Sequence, residues 1–198
     1  MPIRQAPRNI VPTPEEAARL IAAPDLGLRW LLLCGAHCAL RFGTSLCVTP
    51  NDCIGGVIRR RSKGGSTVEI TLSQPMVELL AVAHGDPQQP VCNILAGRTL
   101  SKQGWQFRWR AWKKRLGIRK ELRPHDLRRA LARAVYDTTG DLRQVQSLLG
   151  HASLRATFHY LGEARTEPTN QAALRAAREQ VTGEKPSLLS GLFCVDVS

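Results

Sequence analysis

The order of apolar and polar residues predicts a chain that is mostly helical. Thr13-Pro14-Glu15-Glu16 combines a capping threonine, a proline at the first helical position and a glutamate three residues after the cap. This combination is typical of a helix start and predicts a helix over EAARLIAA. The segment GLRWLLLCGAHCAL is apolar on almost every side and predicts a buried helix over about residues 25–40, with Arg41 at its end.

Between residues 53 and 72 the pattern has a period of two residues. Val68, Ile70 and Leu72 alternate with polar residues, and Val57-Ile58 lead into a basic run that ends in SKGG. Alternating segments on either side of a glycine-containing turn predict a β-hairpin.

Helical spacing returns after the hairpin and dominates the rest of the chain. It predicts further helices over about residues 75–83, 101–116, 126–139, 142–149, 154–161 and 169–181. Gly117, Gly140, Gly150 and Gly183 follow four of these segments, at the position where glycine commonly ends a helix. The predicted fold class is mainly α with a small antiparallel β-sheet, an α+β fold.

The length of 198 residues suits one domain with short appendages. Residues 1–12 contain three prolines and no periodic pattern, which indicates an N-terminal arm or linker. The domain itself is expected over residues 13–183, followed by an apolar C-terminal tail over residues 184–198. Aromatic residues at helical spacing between 105 and 112 are typical of a core, and contact with nucleic-acid bases is the alternative.

The six cysteines show no paired CxxC pattern. Cys34, His37 and Cys38 could share one helix face, but a structural zinc needs a fourth ligand, so buried free thiols are expected and no metal is predicted. The opening residues contain no apolar run suited to a secretory signal, which predicts a reducing cytoplasm as the location.

The charge balance points to a polyanionic partner. The chain has 28 lysines and arginines against 16 acidic residues, a net charge of +12. This excess favours nucleic acid above all, with a membrane surface as the weaker alternative. No stretch reaches the roughly 18 uninterrupted apolar residues of a membrane-spanning helix, so no membrane partner is predicted.

Six residues carry groups suited to phosphodiester chemistry. His125 and Arg128 are three residues apart, on one predicted helix face opposite an apolar stripe. His151 follows the glycine that ends a predicted helix, and Tyr160 comes nine residues later. Each signal is weak alone, since a solvated helix end, a structural histidine and a surface tyrosine are the ordinary interpretations. One further cation, Arg41, lies at a predicted helix end, and another, Lys63, lies in the predicted hairpin turn. The residues that together would let a phenol attack a phosphodiester are Arg41, Lys63, His125, Arg128, His151 and Tyr160.

Four stretches resemble the successive motifs of the tyrosine recombinase (phage integrase) catalytic domain: GAHCALRFGTSL, RRRSKGGSTVEITL, RPHDLRRALA and LLGHASLRATFHYLG. The resemblance covers about residues 13–165, and its most specific parts are the HxxR pair, the LGH triplet and the tyrosine nine residues after it. It implies that residues 13–183 are a catalytic domain that breaks and rejoins double-stranded DNA through a covalent 3′-phosphotyrosine intermediate. The implied process is site-specific recombination or integration of a mobile element, in a bacterial, archaeal or phage-encoded setting.

The chemistry explains why these residue types are needed. Charge collects on the non-bridging oxygens during displacement, and two guanidinium forks, those of Arg41 and Arg128, can hold it without a metal. A tyrosine hydroxyl has a reference pKa near 10, so roughly 0.1% is ionised at pH 7. Attack by Tyr160 therefore gains from a base, and His125 is the candidate for that base.

The resemblance supplies the remaining roles. It puts the general acid in the hairpin turn, which selects Lys63 over the arginines at 59–61, because an arginine gives up a proton poorly. His151 would donate to a phosphate oxygen, where the family has His or Trp. The covalent phosphotyrosine conserves the bond energy, so the resemblance implies no cofactor. Tyr136 would lie about 16 Å along the helix axis from His125, too far to share one phosphate.

Two departures from the family limit the resemblance. Family members usually carry an acidic residue three positions after the first arginine, where this chain has Thr44. They also usually have a separate N-terminal helical domain that closes a clamp around DNA, whereas this sequence begins in what looks like the linker. An isolated catalytic domain and a naturally short protein are both compatible with that start.

Two other functions stay open from the sequence. A type IB topoisomerase uses the same residue types to relax supercoils, and a catalytically idle DNA-binding module would keep the fold alone. The C-terminal tail raises a separate question, because its apolar side chains need a groove. We expect it either to dock on a neighbouring protomer in a DNA-bound homo-oligomer or to fold back onto its own domain.

Overall fold

The computed structural model describes residues 10–61 and 67–161, which form a mainly helical domain with one three-stranded antiparallel sheet. The predicted fold class is confirmed. The helices are α1 (Pro14–Ile21), α2 (Leu26–Cys38), α3 (Phe42–Ser45), α4 (Gln74–Ala81), α5 (Val91–Leu95), α6 (Lys102–Arg115), α7 (Pro124–Thr139), α8 (Leu142–Leu149) and α9 (Leu154–Leu161). None of these helices is long and apolar enough to cross a membrane. The helix predicted over 169–181 and the tail lie outside the described residues.

Local capping sets the ends of the first two helices. The predicted capping box is confirmed: Thr13 Oγ1 accepts the Glu16 N–H at 3.2 Å, and the Glu16 carboxylate accepts the Thr13 N–H at 2.9 Å. The carboxylate of Asp25 caps α2 by accepting the N–H of Leu28 at 3.0 Å. α2 then stops at Ala39, which adopts a left-handed conformation with φ 49°. The helix is therefore slightly shorter than the predicted range.

The sheet has the order β1-β2-β3, with β1 over Cys53–Ile54, β2 over Val57–Arg61 and β3 over Thr67–Thr71. The predicted hairpin is confirmed as β2 and β3, and β1 adds a short third strand. Ile58 lies opposite Ile70, and Ile58 is fully buried on the core face. Residues 62–66, between β2 and β3, include Lys63 and lie outside the described residues.

α2 is the central element of the main core. Its residues are buried on nearly all sides, as the sequence predicts, and it packs against α1, α4, α5, α6 and α7. Trp105 and Trp109 of α6 are buried in the same core, which confirms the structural interpretation for these two, whereas Phe107 is 73% exposed. Cys34 and Cys38 are also buried, and burial raises the pKa of the Cys38 thiol to about 12.

α7, α8 and α9 enclose a second, smaller core. Its buried members are Ala39, Ala132, Val145, Leu149 and Leu161. Tyr136 and Tyr160 are half-buried against this cluster. Because α9 packs on both α7 and α8, its tyrosine lies next to the first turns of α7. The second core therefore positions the residues of the candidate site.

Candidate active site

The first two turns of α7 carry two of the predicted site residues. α7 starts at Pro124, two residues earlier than predicted, since proline fits the first helical position without losing a hydrogen bond. The carboxylate of Asp126 closes this end by accepting the N–H of Arg123 at 2.8 Å. His125 and Arg128 then lie about one turn apart on the helix, with Arg128 directed into the protein.

Arg128 is only 3% exposed and is held by two backbone carbonyls. One Nη atom donates to the carbonyl of Ala39 at the end of α2, and the other donates to that of Leu149 at the end of α8, at 2.8 Å. The ordinary alternative of a solvated basic helix end is therefore wrong for Arg128. Burial lowers its pKa to about 10, so the guanidinium keeps its positive charge at pH 7.

Tyr160 lies between the two histidines of the predicted set. Its hydroxyl oxygen is 3.2 Å from Nε2 of His125. The ring centroids are 5.5 Å apart for His125 and 5.4 Å apart for His151, and both imidazoles meet the phenol edge to face. The structure thus brings together three residues that are separated by 35 and nine positions in the sequence.

Burial and nearby cations act differently on the two partners of this hydrogen bond. Burial raises the pKa of Tyr160, while the positive charges of Arg128 and Arg129 oppose that rise. Burial also lowers the pKa of His125, and the same two arginines lower it further. At pH 7 the pair is therefore a neutral phenol beside a neutral imidazole, which can accept the phenol proton at Nε2.

His151 follows Gly150, which ends α8 in a left-handed conformation with φ 59°. Its backbone N–H donates to the carbonyl of Gln146 at 3.1 Å, and its Nδ1 lies 3.2 Å from Oγ1 of Thr157. Burial lowers the pKa of His151 to about 4, with further contributions from nearby cations. The imidazole is therefore neutral at pH 7, and Thr157 orients it from Nδ1.

Arg41 and Lys63 are the other two cations of the predicted set. Arg41 is exposed at the N-terminus of the short helix α3, and its charge lowers the pKa of both His125 and His151. It therefore belongs to the same electrostatic cluster. Lys63 lies outside the described residues.

Two neighbours of Tyr160 and His151 are absent from the predicted set. Cζ of Arg129 lies 5.0 Å from the centroid of the Tyr160 ring, and Thr157 is a fully buried hydroxyl beside His151. A helical projection of α9 would have found Thr157, because it is three residues before Tyr160 and shares its face. Arg129 had no such signal, since it is simply the next residue after the HxxR arginine.

A basic groove lies between α6 and the segment that leads into α7. It encloses about 630 Å³ and is lined by apolar side chains such as Trp109 and by five cations. These cations are Arg110, Lys113, Lys114, Lys120 and Arg123. Such a surface attracts phosphate groups. Within residues 10–61 and 67–161 no cluster of three His, Cys, Asp or Glu side chains could hold a metal ion.

Comparisons with known proteins agree with this geometry. The model of the phage integrase family matches residues 13–167. The tyrosine recombinase XerC of Rhizobium meliloti (strain 1021) is 33% identical over 133 residues, which are 63% of this chain and 42% of that protein. The chain spans about half the length of the curated relatives that it matches.

Two solved structures share the fold. The crystal structure of XerA recombinase superimposes with a TM-score of 0.66 at 23% identity, over 95% of this chain and 67% of that one. XerH site-specific recombinase bound to its difH substrate, in a pre-cleavage complex, gives a TM-score of 0.63 at 20% identity, over 85% of this chain and 54% of that one.

Proposed function

Because the chain belongs to the phage integrase family, we propose that it breaks and rejoins double-stranded DNA as a tyrosine-type site-specific recombinase. One observation carries the proposal: the hydroxyl of Tyr160 lies 3.2 Å from a neutral imidazole, that of His125. A nucleophile beside its base is the arrangement that activates a weak nucleophile for covalent catalysis.

The proposed cleavage step includes two proton transfers, one from the attacking oxygen and one to the leaving oxygen. The oxygen of Tyr160 attacks the phosphorus, and its proton passes to Nε2 of His125. The bond from phosphorus to the 5′ oxygen breaks, and the DNA keeps a 3′-phosphotyrosine link to the protein. A proton must reach the departing 5′ oxygen, and Lys63 is its proposed donor on the resemblance alone. Rejoining is the reverse reaction with a new 5′ hydroxyl.

The proposed role of the arginines is to stabilise the charge that develops on the phosphate. Two of the five N–H groups of Arg128 donate to carbonyls, which fixes the guanidinium close to Tyr160. Because the carbonyls hold the guanidinium in place, it needs little reorganisation when the phosphate binds. Arg41 is exposed and supplies the second cation. The proposed role of His151 is to donate from Nε2–H to a phosphate oxygen, which requires the Thr157 hydroxyl to donate to Nδ1 of His151 instead of to the carbonyl of Ser153, 3.4 Å away.

The proposed substrate is duplex DNA. The net charge of +12 and the basic groove beside α7 both favour a polyanion. XerH, which shares the fold, is bound to its difH substrate. The recombinase relatives favour strand exchange over supercoil relaxation of the type IB kind.

We further propose that the recombinase works as a homo-oligomer on DNA, with the C-terminal tail of one protomer docked on the next. The tail lies outside the described residues, so the proposal rests on its apolar sequence. Docking within the same chain is the alternative.

Covalent trapping tests the function directly. The parent protein is incubated with nicked duplexes of randomised sequence, and covalent complexes are detected on denaturing gels. We expect Tyr160→Phe to abolish the complex and Tyr136→Phe, the matched control, to leave it unchanged, because only Tyr160 lies beside His125. A complex of undiminished yield with Tyr160→Phe would refute the assignment of Tyr160 as the nucleophile. A parent that binds these duplexes but forms no complex is a binding module instead.

A further inference from the structure

We propose that Arg129 is a positioning residue for Tyr160, holding the phenol ring against α7 in the orientation required for attack. This inference rests on the proposed function, because it takes Tyr160 as the nucleophile. It goes beyond the HxxR pair, since Arg129 is the residue after that pair and is directed at the nucleophile itself.

The guanidinium of Arg129 is closer to the phenol ring than that of Arg128. The distance from Cζ to the ring centroid of Tyr160 is 5.0 Å for Arg129 and 5.9 Å for Arg128. A guanidinium at this distance is attracted to the face of the ring, and the attraction grows when the pair is partly desolvated. The side chain of Arg129 is only 13% exposed, so the contact is shielded from water.

A buried carboxylate keeps Arg129 in place. Its Nη1 donates to Oδ1 of Asp126 at 3.2 Å, and Asp126 is 2% exposed. The other oxygen of Asp126 accepts the N–H of Arg123 at the start of α7. Arg128 donates to carbonyls at the ends of α2 and α8, whereas Arg129 pairs with a carboxylate of its own helix. The position of Arg129 therefore does not depend on bound DNA.

The charges around Tyr160 come from three parts of the chain. α7 contributes His125, Asp126, Arg128 and Arg129, the segment after α8 contributes His151, and the start of α3 contributes Arg41, which acts on both histidines. The two α7 arginines favour the phenolate, while burial and Asp126 oppose it. Removing Arg129 therefore removes one of the two cations that favour ionisation of the nucleophile.

Arg133 provides a matched control on the same helix. Its side chain is 15% exposed, it pairs with Asp137 at 3.1 Å, and it donates to the carbonyl of Leu161 at 3.2 Å. Like Arg129, it is an arginine that joins α7 to α9. Unlike Arg129, it contacts the backbone of α9 and not the tyrosine ring.

The test is a titration of the protein labelled at the Cζ carbon of tyrosine, followed by NMR without DNA. The chain has two tyrosines, so Tyr136 serves as the internal reference. We expect Arg129→Gln to raise the pKa of Tyr160 and leave that of Tyr136 unchanged. We also expect complex formation with nicked DNA to slow on the order of tenfold at pH 7, and its rising limb to move to higher pH. Arg133→Gln should leave both readouts near the parent.

A Tyr160 pKa in Arg129→Gln equal to that in Arg133→Gln would overturn the inference, even where the parent forms the Tyr160 complex. Should Arg129→Gln fail to fold, Arg129→Lys decides: we expect its Tyr160 pKa to stay near the parent value, because the charge is kept, and its rate to fall several-fold, because an ammonium lacks the planar contact. A parental rate in that variant would also overturn the inference. Absence of a covalent complex in the parent would instead refute the proposed function, and the titration without DNA distinguishes that failure.

Discussion

Arg128 is held in place by contacts with the ends of two other helices. Carbonyls from the ends of two different helices accept from its guanidinium, and its Nε has no hydrogen-bond partner among the described residues. A buried donor without a partner costs free energy, and the two carbonyl contacts offset part of that cost. The guanidinium is therefore fixed in orientation in a way that a solvated arginine is not.

We predict that Arg128→Lys loses cleavage even though the charge is kept. An ammonium cannot donate to both carbonyls and also present a planar fork to the phosphate. The expected loss in single-turnover cleavage rate is on the order of 100-fold or more, by analogy with removal of a preorganised oxyanion donor. Arg133→Lys is the control for stability, since it changes the same residue type on the same helix. A rate for Arg128→Lys within a few-fold of the parent would contradict the assigned role.

The end of α8 positions two site residues, Arg128 and His151. The carbonyl of Leu149 accepts from Arg128, and the backbone after Gly150 directs His151 toward Tyr160. Gly150 has φ 59°, a left-handed conformation that residues with a Cβ adopt at a cost. This turn therefore ends α8 and also positions the site residues Arg128 and His151.

We predict that Gly150→Ala and Gly140→Ala have similar effects on stability and different effects on cleavage. Both glycines end a helix in the left-handed region, with φ 59° and 63°, so each alanine should cost about 1 kcal/mol of unfolding free energy in urea. Only Gly150→Ala should slow cleavage, because only Gly150 directly precedes His151. Equal cleavage rates for the two variants would show that the α8 turn does not support the site.

For the molecule as a whole, the proposed docking of the apolar tail would determine whether neighbouring active sites are coupled. Its apolar residues are Leu188, Leu189, Leu192, Phe193 and Val195. Burial of each such side chain contributes roughly 1.5–3 kcal/mol before the entropy of ordering the segment is subtracted. Docking on a second protomer would couple neighbouring active sites, whereas docking in the same chain would only add stability.

We predict that deletion of residues 186–198 leaves the melting temperature and single-site cleavage near the parent values. Cooperative assembly on DNA with paired sites, measured by gel shift, should be lost, because the tail would no longer reach the neighbouring protomer. Phe193→Asp tests the same contact without shortening the chain. A truncated protein that unfolds, or one that assembles as before, would refute docking on the neighbour.

Local sequence patterns determined where several helices and strands of this protein begin or end. The capping box at Thr13, the strand β3 and the glycine that ends α8 were all predicted and confirmed. Each depends on contacts between residues close in sequence or on the backbone preference of one residue type. The HxxR, LGH and tyrosine motifs likewise identified the residues that meet at the candidate site, because their order and spacing are specific.

Only the tertiary structure decided which contacts those residues make. Arg128 donates to carbonyls of residues 89 and 21 positions away, and Arg129 lies against a tyrosine ring on another helix. These contacts depend on how α2, α8 and α9 pack against α7, and no local pattern encodes that packing. A basic residue on an amphipathic helix is expected to face water because charge is costly to bury. Arg128 is buried because the ends of two helices supply the acceptors that offset this cost.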